Sequence, residues 1–278
     1  MRHVRLIAPL IGLLAAGSAS AETPLKSALD GNAPPFAMPR MDGSVEGLSV
    51  DLTAEIATRL GRDISLEAMA FAALIPALQA GTFDFLSVPF SVTEERSQAF
   101  LLTEGIWSAD RAFLIPADGA QLASFEDLRG KTIATNKGNV DDLWAREQAD
   151  EYGWTVEAYG SLNDAAQAVQ SGRADASVVN VITALSIAGR NPAVRVSDLR
   201  DVTGAFFTYA IPLGSEDLRQ EIEGAIECIK ADGTAAELYE KWLGEAPAEG
   251  SLNVTPQPGW GPEGYGNFDP TEHPLDCD

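Results

Sequence analysis

The chain has 278 residues, with 19 Lys and Arg against 41 Asp and Glu, a formal net charge of −22 and a pI near 4.3. Such a balance repels phosphate backbones and anionic lipid surfaces, which argues against a nucleic-acid partner and favours solubility. Two histidines, His3 and His273, give no basis for a His-centred metal site or catalytic triad, and no cofactor is expected.

Residues 1–21 carry Arg2 and Arg5, an apolar run from Leu6 to Ala16 and a small-residue end at Ala19-Ser20-Ala21, the layout of a cleaved secretory signal. Removing it takes two arginines and no acid, so the mature charge is −24. No cysteine stands at the cleavage site for a lipid anchor, and no later stretch reaches the roughly 18 apolar residues of a membrane span. A free periplasmic protein is expected, divided into two lobes of about 100–150 residues each.

From Gly47, the row Leu52, Ile56, Leu60 at i+4 spacing predicts a short amphipathic helix stopped by Gly61. A strand is expected over Ile64–Met69, a helix over Ala73–Gly81 and a buried strand over Phe83–Val88. Short strands alternating with short helices imply a largely parallel, helix-covered sheet. The pattern repeats with a strand at Lys131–Thr135, a helix at Val140–Tyr152, a strand at Trp154–Tyr159, a helix opened by Ser161 and Asp164, and a strand at Ala176–Val179. Crossovers between the lobes are expected at Ala109–Leu114 and Asp201–Phe206. Lobe 1 then takes residues 22–110 and 206–244, completed by helices over Ser215–Lys230 and Gly233–Leu243, and lobe 2 takes 111–205. Residues 245–278 form a tail rich in Pro, Gly and aromatic residues, expected to pack on the lobe rather than to bind. The cysteines Cys228 and Cys277 are expected to pair after export. Cys228 lies off the apolar stripe of Leu218, Ile222, Ala225, Ile226 and Ile229, so it can face a tail crossing that helix; free or intermolecularly paired thiols are the alternative.

The chemistry centres on Asp84-Phe-Leu-Ser-Val-Pro-Phe-Ser-Val-Thr-Glu-Glu-Arg96. A buried strand runs out into Ser91 and Thr93, and Arg96 follows on a helix that Thr93 can cap. That geometry puts a guanidinium at the carboxyl end of a strand, where a carboxylate can be held bidentately. Spacing alone equally allows a solvated arginine paired with Glu94 or Glu95.

Five strings occur in order: Phe71-x-x-Leu-Ile-Pro-x-Leu78, Thr93-x-x-Arg96, Leu128-x-Gly-Lys131, Gly172-Arg-Ala-Asp-Ala176, and Asp232-Gly-Thr with Lys241-Trp-Leu-Gly244. Together, over roughly Ala28–Gly244, they resemble the family 3 extracellular solute-binding proteins of the polar-amino-acid-uptake type. The resemblance implies an α/β, two-lobed periplasmic-binding-protein fold with the ligand enclosed at the hinge. It implies a receptor that captures a small carboxylate-bearing, amino-acid-like molecule by lobe closure and docks on ABC permease subunits, acting as a monomer. By position, Arg96 is the carboxylate clamp, helped by Ser91 and the backbone near Pro89, with Asn139 and Val140 meeting the same carboxylate from the second lobe. Phe71 matches an aromatic that packs on the ligand side chain.

Two departures stand out. Asn180 occupies the place of an acid that pairs the ligand ammonium, and an amide cannot neutralise a buried charge. The ligand then lacks an ordinary α-ammonium, or Asp30 or Asp141 takes over its pairing. Ala33 replaces a stacking tyrosine, a wall that Pro34, Pro35 and Phe36 could partly rebuild. An enzyme on the same scaffold, of the prephenate or arogenate dehydratase type, is the main alternative, with Asp141, Glu94 and Glu95 as nominal acids; a detached sensor domain is a third.

Overall fold

The computed structural model describes residues 23–244 and 246–277; the secretory signal expected over 1–21 lies outside the described residues. Strand β1 (Leu25–Asp30) leads into the short hairpin of β2 (Met38–Pro39) and β3 (Val45–Glu46). Gly47 then has to be glycine, because a Cβ there would stand 2.2 Å from the Phe36 carbonyl oxygen. Helix α1 (Leu48–Leu60) buries Leu48, Leu52 and Ile56 and ends at Gly61, whose φ of 61° closes the helix in the left-handed conformation.

Next come β4 (Ile64–Met69), α2 (Phe71–Gln79) and β5 (Phe85–Ser91). Helix α2 begins at Phe71, two residues before the expected start, because Phe71 and Leu74 both turn into the core beneath the sheet. The short α3 (Glu94–Ala99) starts where the Thr93 hydroxyl accepts the Arg96 N–H at 3.1 Å. It runs straight into β6 (Phe100–Leu102), followed by β7 (Trp107–Ser108).

The second half contains β8 (Arg111–Pro116), β9 (Thr132–Asn136), α4 (Val140–Tyr152), β10 (Thr155–Tyr159), α5 (Leu162–Gln170), β11 (Ala176–Asn180), α6 (Val181–Arg190) and β12 (Val194–Asp201). Helices α4, α5 and α6 open on side-chain caps from Asn139, Ser161 and Asn180. The chain closes with β13 (Phe206–Pro212), α7 (Glu216–Ala231), α8 (Thr234–Leu243) and the tail.

Two sheets result, in the orders β4-β1-β5-β13-β6, with β7 beside β13, and β10-β9-β11-β8-β12. The β1–β4, β1–β5, β9–β10 and β9–β11 pairs are parallel, whereas β13, β8 and β12 pair antiparallel. The sheets are therefore mixed rather than largely parallel, because strands next to the crossovers run against their neighbours. Arg111–Leu114, expected within a crossover, belong to β8 instead; the passage between sheets is only Ala109 and Asp110. The return passage, residues 202–205, lies beside it: Ala109 N–H donates to Ala205 O at 2.8 Å, and Asp110 Oδ1 accepts from Thr203 N and Gly204 N. Both sheets carry apolar packing on each face, which is why β5 and β11 read as nearly continuous buried runs.

The tail crosses α7 and is fastened there by a Cys228–Cys277 disulfide. Beneath it, Arg219, Glu223, Glu227 and Lys230 form a buried polar stripe along α7. Lys230 pairs with Glu104 at 2.8 Å, Glu223 accepts Gly261 N–H at 2.7 Å, and Arg219 donates to Asn267 O at 2.7 Å. His273 meets Glu227 at 2.9 Å and stacks on Trp260. Asn267 Nδ2 donates to Ser97 O at 2.7 Å, tying the tail to α3.

Candidate ligand-binding site

One cavity lies between the two sheets, lined by Asp30, Ala33, Phe36, Phe71, Val88, Pro89, Ser91, Arg96, Asn139, Val140, Asp141, Asn180 and Phe207. All eight residues singled out from the sequence, Asp30, Phe71, Pro89, Ser91, Arg96, Asn139, Val140 and Asn180, fall on its wall. The first sheet supplies the ends of β1 and β5 with the starts of α2 and α3; the second supplies the starts of α4 and α6. Both sets lie at the carboxyl ends of parallel strands, where helix N-termini converge. The walls stand close. Free space is about 40 Å³, room for roughly three water molecules at 10–15 Å³ each, so a solute of amino-acid size enters only when the lobes part.

Arg96 is 8% exposed, and no carboxylate among the described residues lies within 4 Å of its guanidinium. Glu94 and Glu95 are exposed and off the cavity wall, which removes both the surface-pair reading of Arg96 and their candidacy as cleft acids. The side chain is instead fixed by its Nη1 donating to Ser91 O at 3.0 Å and by the Phe90 ring, whose centroid is 4.3 Å from Cζ. Phe71 lies further along the same cation, at 5.8 Å, and serves as both core and cavity wall. Burial pushes the guanidinium down to about 10, with Asp141 and Glu95 pulling the other way. The cation remains charged near neutral pH, and a carbonyl and aromatic rings, with no described carboxylate within 4 Å, are its immediate contacts, a setting in which an anion can be paired.

Opposite stands the start of α4. Asn139 Oδ1 caps Asp142 N at 2.8 Å, and Asp142 Oδ2 accepts Gly138 N–H at 3.0 Å. The next two backbone N–H groups, of Val140 and Asp141, have no protein acceptor among the described residues. Arg96 and a helix N-terminus thus face one small space. Gly138 closes on the other lobe at Ala72, which a Cβ would meet at 3.8 Å.

Three polar residues set the remaining wall. Asp30 is 3% exposed, accepts Asn32 N–H at 3.0 Å and accepts Asn136 Nδ2 across the cleft at 3.1 Å. Burial raises its pKa above the usual carboxylate range against both hydrogen bonds. Asp141 holds Arg111 Nε at 2.9 Å while Arg111 Nη1 reaches Asp201 at 2.8 Å; burial raises Asp141 despite that arginine. Asn180 is committed to its helix: Oδ1 accepts Thr183 N–H and Nδ2 donates to Thr183 Oγ1, both at 2.9 Å.

Apolar wall comes from Ala33, Phe36, Val88 and Phe207. Phe36 and Phe207 meet edge to face at 5.7 Å, so an aromatic wall stands beside Ala33 in place of a ring at position 33. Val88 and Phe207 were not visible from the sequence as site residues. The available signal for Phe207 was its place directly after the return crossover, since chain leaving a hinge borders the cleft. Asn136, just before the Gly138 string, was missed as the cross-cleft partner of Asp30. Among the described residues there is no cluster of metal-ligating side chains and no helix long and apolar enough to cross a membrane.

Comparison with known proteins agrees with this architecture. The family model of the bacterial extracellular solute-binding proteins, family 3, matches residues 25–245. The L-cystine-binding protein TcyJ of Escherichia coli (strain K12) is 27% identical over 222 residues, 78% of this chain and 81% of that protein. Among solved structures, an ancestral arginine-binding protein bound to arginine has a TM-score of 0.75 at 29% identity, covering 80% of this chain and 99% of its own. The ancestral amino acid-binding protein AncCDT-1, a precursor of cyclohexadienyl dehydratase, has a TM-score of 0.72 at 29% identity, covering 79% of this chain and 95% of its own. With the match spanning both sheets and the cavity between them, the chain belongs to the bacterial extracellular solute-binding proteins, family 3.

Proposed function

We propose that this protein is the periplasmic receptor of an ABC importer. It binds a small carboxylate-bearing, amino-acid-like solute between lobe 1 (22–110 and 206–244) and lobe 2 (111–205) and presents it, as a monomer, to the permease. The observation that carries this reading is Arg96, a buried cation without a protein carboxylate, facing the N-terminus of α4 across one cavity. Binding a carboxylate there offsets the desolvation of Arg96 and supplies an acceptor to the spare N–H groups of Val140 and Asp141. Because those groups sit on different lobes, the same anion holds the lobes together, and the Asp30–Asn136 hydrogen bond adds a second tie. Binding and closure are then one event. The relatives named for cystine and arginine binding support an amino-acid-like solute.

Native mass spectrometry of protein purified from its host tests this reading directly. The expected result is a retained small molecule that carries a carboxylate; a retained neutral sugar or a metal ion would overturn it.

A second reading has one observation behind it. Asp30 is a buried carboxylate in the cleft with a raised pKa and only neutral hydrogen-bond partners, the setting of a proton donor, and a neighbouring structure is the precursor of a dehydratase. Incubation with prephenate or arogenate decides it: the receptor reading predicts no conversion above the uncatalysed rate, and turnover abolished by Asp30→Asn would establish the enzyme.

A further inference from the structure

Residues 246–277 lie beyond the 25–245 span of the family match, and one stretch of them reaches back toward the binding site. Trp260 and Asp269 close that stretch into a loop, each donating its N–H to the other's carbonyl, at 2.8 and 3.0 Å. The base of the loop is fixed to α7: Gly261 N–H donates to Glu223 Oε1 at 2.7 Å, and Arg219 Nη1 donates to Asn267 O at 2.7 Å. Tyr265, Gly266 and Asn267 then touch the first lobe at two places, each the chain neighbour of a residue on the cavity wall.

The first place is Ser97, next to Arg96. Asn267 Nδ2 donates to Ser97 O at 2.7 Å and Gly266 N–H donates to Ser97 Oγ at 3.0 Å, so the loop supplies partners to the C-terminal end of α3. The approach is close, since a Cβ on Gly266 would stand 3.1 Å from Ser97 O. The second place is Phe206, next to Phe207. The Tyr265 ring meets it edge to face, with centroids 6.3 Å apart. Phe206 directly follows the return passage between the lobes, and its carbonyl accepts Val92 N–H at 3.3 Å, one residue before the Thr93 cap of α3.

Helix α3 needs such support. It has six residues, too few to hold a direction by its own hydrogen bonds. Resting on the receptor reading above, we infer that loop 261–268 braces the binding site and that Asn267 is a positioning residue, holding α3 so that Arg96 stands in place before the solute arrives. Preorganisation of this kind acts on affinity, because a clamp that must be ordered on binding loses part of its interaction free energy to the ordering. Affinity in this chain then depends on a segment outside the family match. The α7 stripe gains a second use, since Arg219 and Glu223 hold the base of the brace.

The test is calorimetry with L-cystine and the standard L-amino acids as probes, followed through variants with the tightest binder. Asn267→Gly keeps the left-handed backbone available and deletes the donor to Ser97. It should weaken affinity by about 5-fold or more. The double variant Cys228→Ser and Cys277→Ser releases the covalent fastening but leaves the loop on Ser97; it should lose more stability than Asn267→Gly yet keep affinity within about 3-fold of wild type. A merely structural tail would give the opposite order, with affinity following stability. In Asn267→Gly without solute, amide hydrogen exchange should quicken by about 10-fold or more over residues 94–100 and stay unchanged over α4. Should Asn267→Gly not fold, Gly266→Ala, whose Cβ presses on the Ser97 carbonyl, is measured in its place. Affinity reduced by less than about 5-fold, or falling in proportion to stability across the tail variants, would overturn the inference and leave the receptor reading intact. Wild-type protein that binds none of the probes would overturn the receptor reading and the inference together.

Discussion

Arg96 and Lys230 are both buried cations of the first lobe, and their surroundings differ in one respect. Lys230 has Glu104 at 2.8 Å and donates to Gly105 O at 2.6 Å beneath the tail; Arg96 has a carbonyl and two aromatic rings beside an open cavity. The polar stripe of α7 is covered by the tail, with Gly261, Asn267 and His273 brought to Glu223, Arg219 and Glu227, although Arg219 Nε and Glu223 Oε2 are left without a partner among the described residues. The cleft leaves hydrogen-bonding capacity over, at Arg96, at the first N–H groups of α4 and at Asp141 Oδ2. The Lys230 charge is paired with Glu104 within the chain, whereas the Arg96 charge is held in position by a carbonyl and aromatic rings with no described carboxylate beside it.

That contrast breaks most sharply at Lys230. Lys230→Met removes one partner of a buried pair and should destabilise the protein by about 3–5 kcal/mol at pH 7.5, read by denaturant unfolding. Burial has pushed Glu104 up to about 7, above its ordinary value of 4.5. The folded state then binds more protons than the unfolded one between those two pH values, so stability falls as pH rises through that window. The Lys230→Met penalty should accordingly shrink toward pH 5.5, where Glu104 takes a proton; a penalty that grows on acidification would contradict the assignment.

Removing the tail's covalent fastening comes next. The double variant Cys228→Ser and Cys277→Ser releases a crosslink with a sequence separation of 49, and should cost about 2–4 kcal/mol. Solute affinity should stay within a few-fold, since neither cysteine lies on the cavity. A smaller effect is expected at Asn267, whose Nδ2 donates to Ser97 O beside the clamp helix. Asn267→Gly keeps the positive φ of 62° available and deletes the side-chain bond, for a loss of about 1 kcal/mol. Thermal unfolding at fixed pH separates these two effects, and an Asn267 loss as large as the disulfide's would show that the tail acts chiefly through α3.

The same two regions differ in how far they can be read from sequence. Period 3.6 announced α1 and α7, the Ser161 and Asp164 pair announced α5, and the ordered strings around Arg96 and Asn180 placed eight residues that share one cavity wall. Strand β1, Leu-Lys-Ser-Ala-Leu-Asp, escaped because four of its last four residues are buried regardless of polarity, leaving no alternation. Arg111–Leu114 looked like connecting chain because a short apolar run carries no period of its own. Least legible was the α7 stripe: charged residues at helical spacing, Arg219, Glu223, Glu227 and Lys230, carry no sign of burial in the sequence, and only the returning tail makes them interior. Asn180 shows a subtler limit. Its identity was plain, but its use as a helix cap depends on where Thr183 lies in space.

The most direct measurement combines affinity and stability in one variant, Arg96→Ala. A cation buried without a carboxylate partner contributes little to the fold, so the variant's unfolding free energy without solute should stay within about 1 kcal/mol of wild type or rise, because the desolvation cost is relieved. Calorimetry with the carboxylate solute recovered from the native protein should show affinity reduced by about 100-fold or more. Unchanged affinity, or a collapse of the fold in the absence of solute, would contradict the claim that Arg96 is buried in order to hold a ligand.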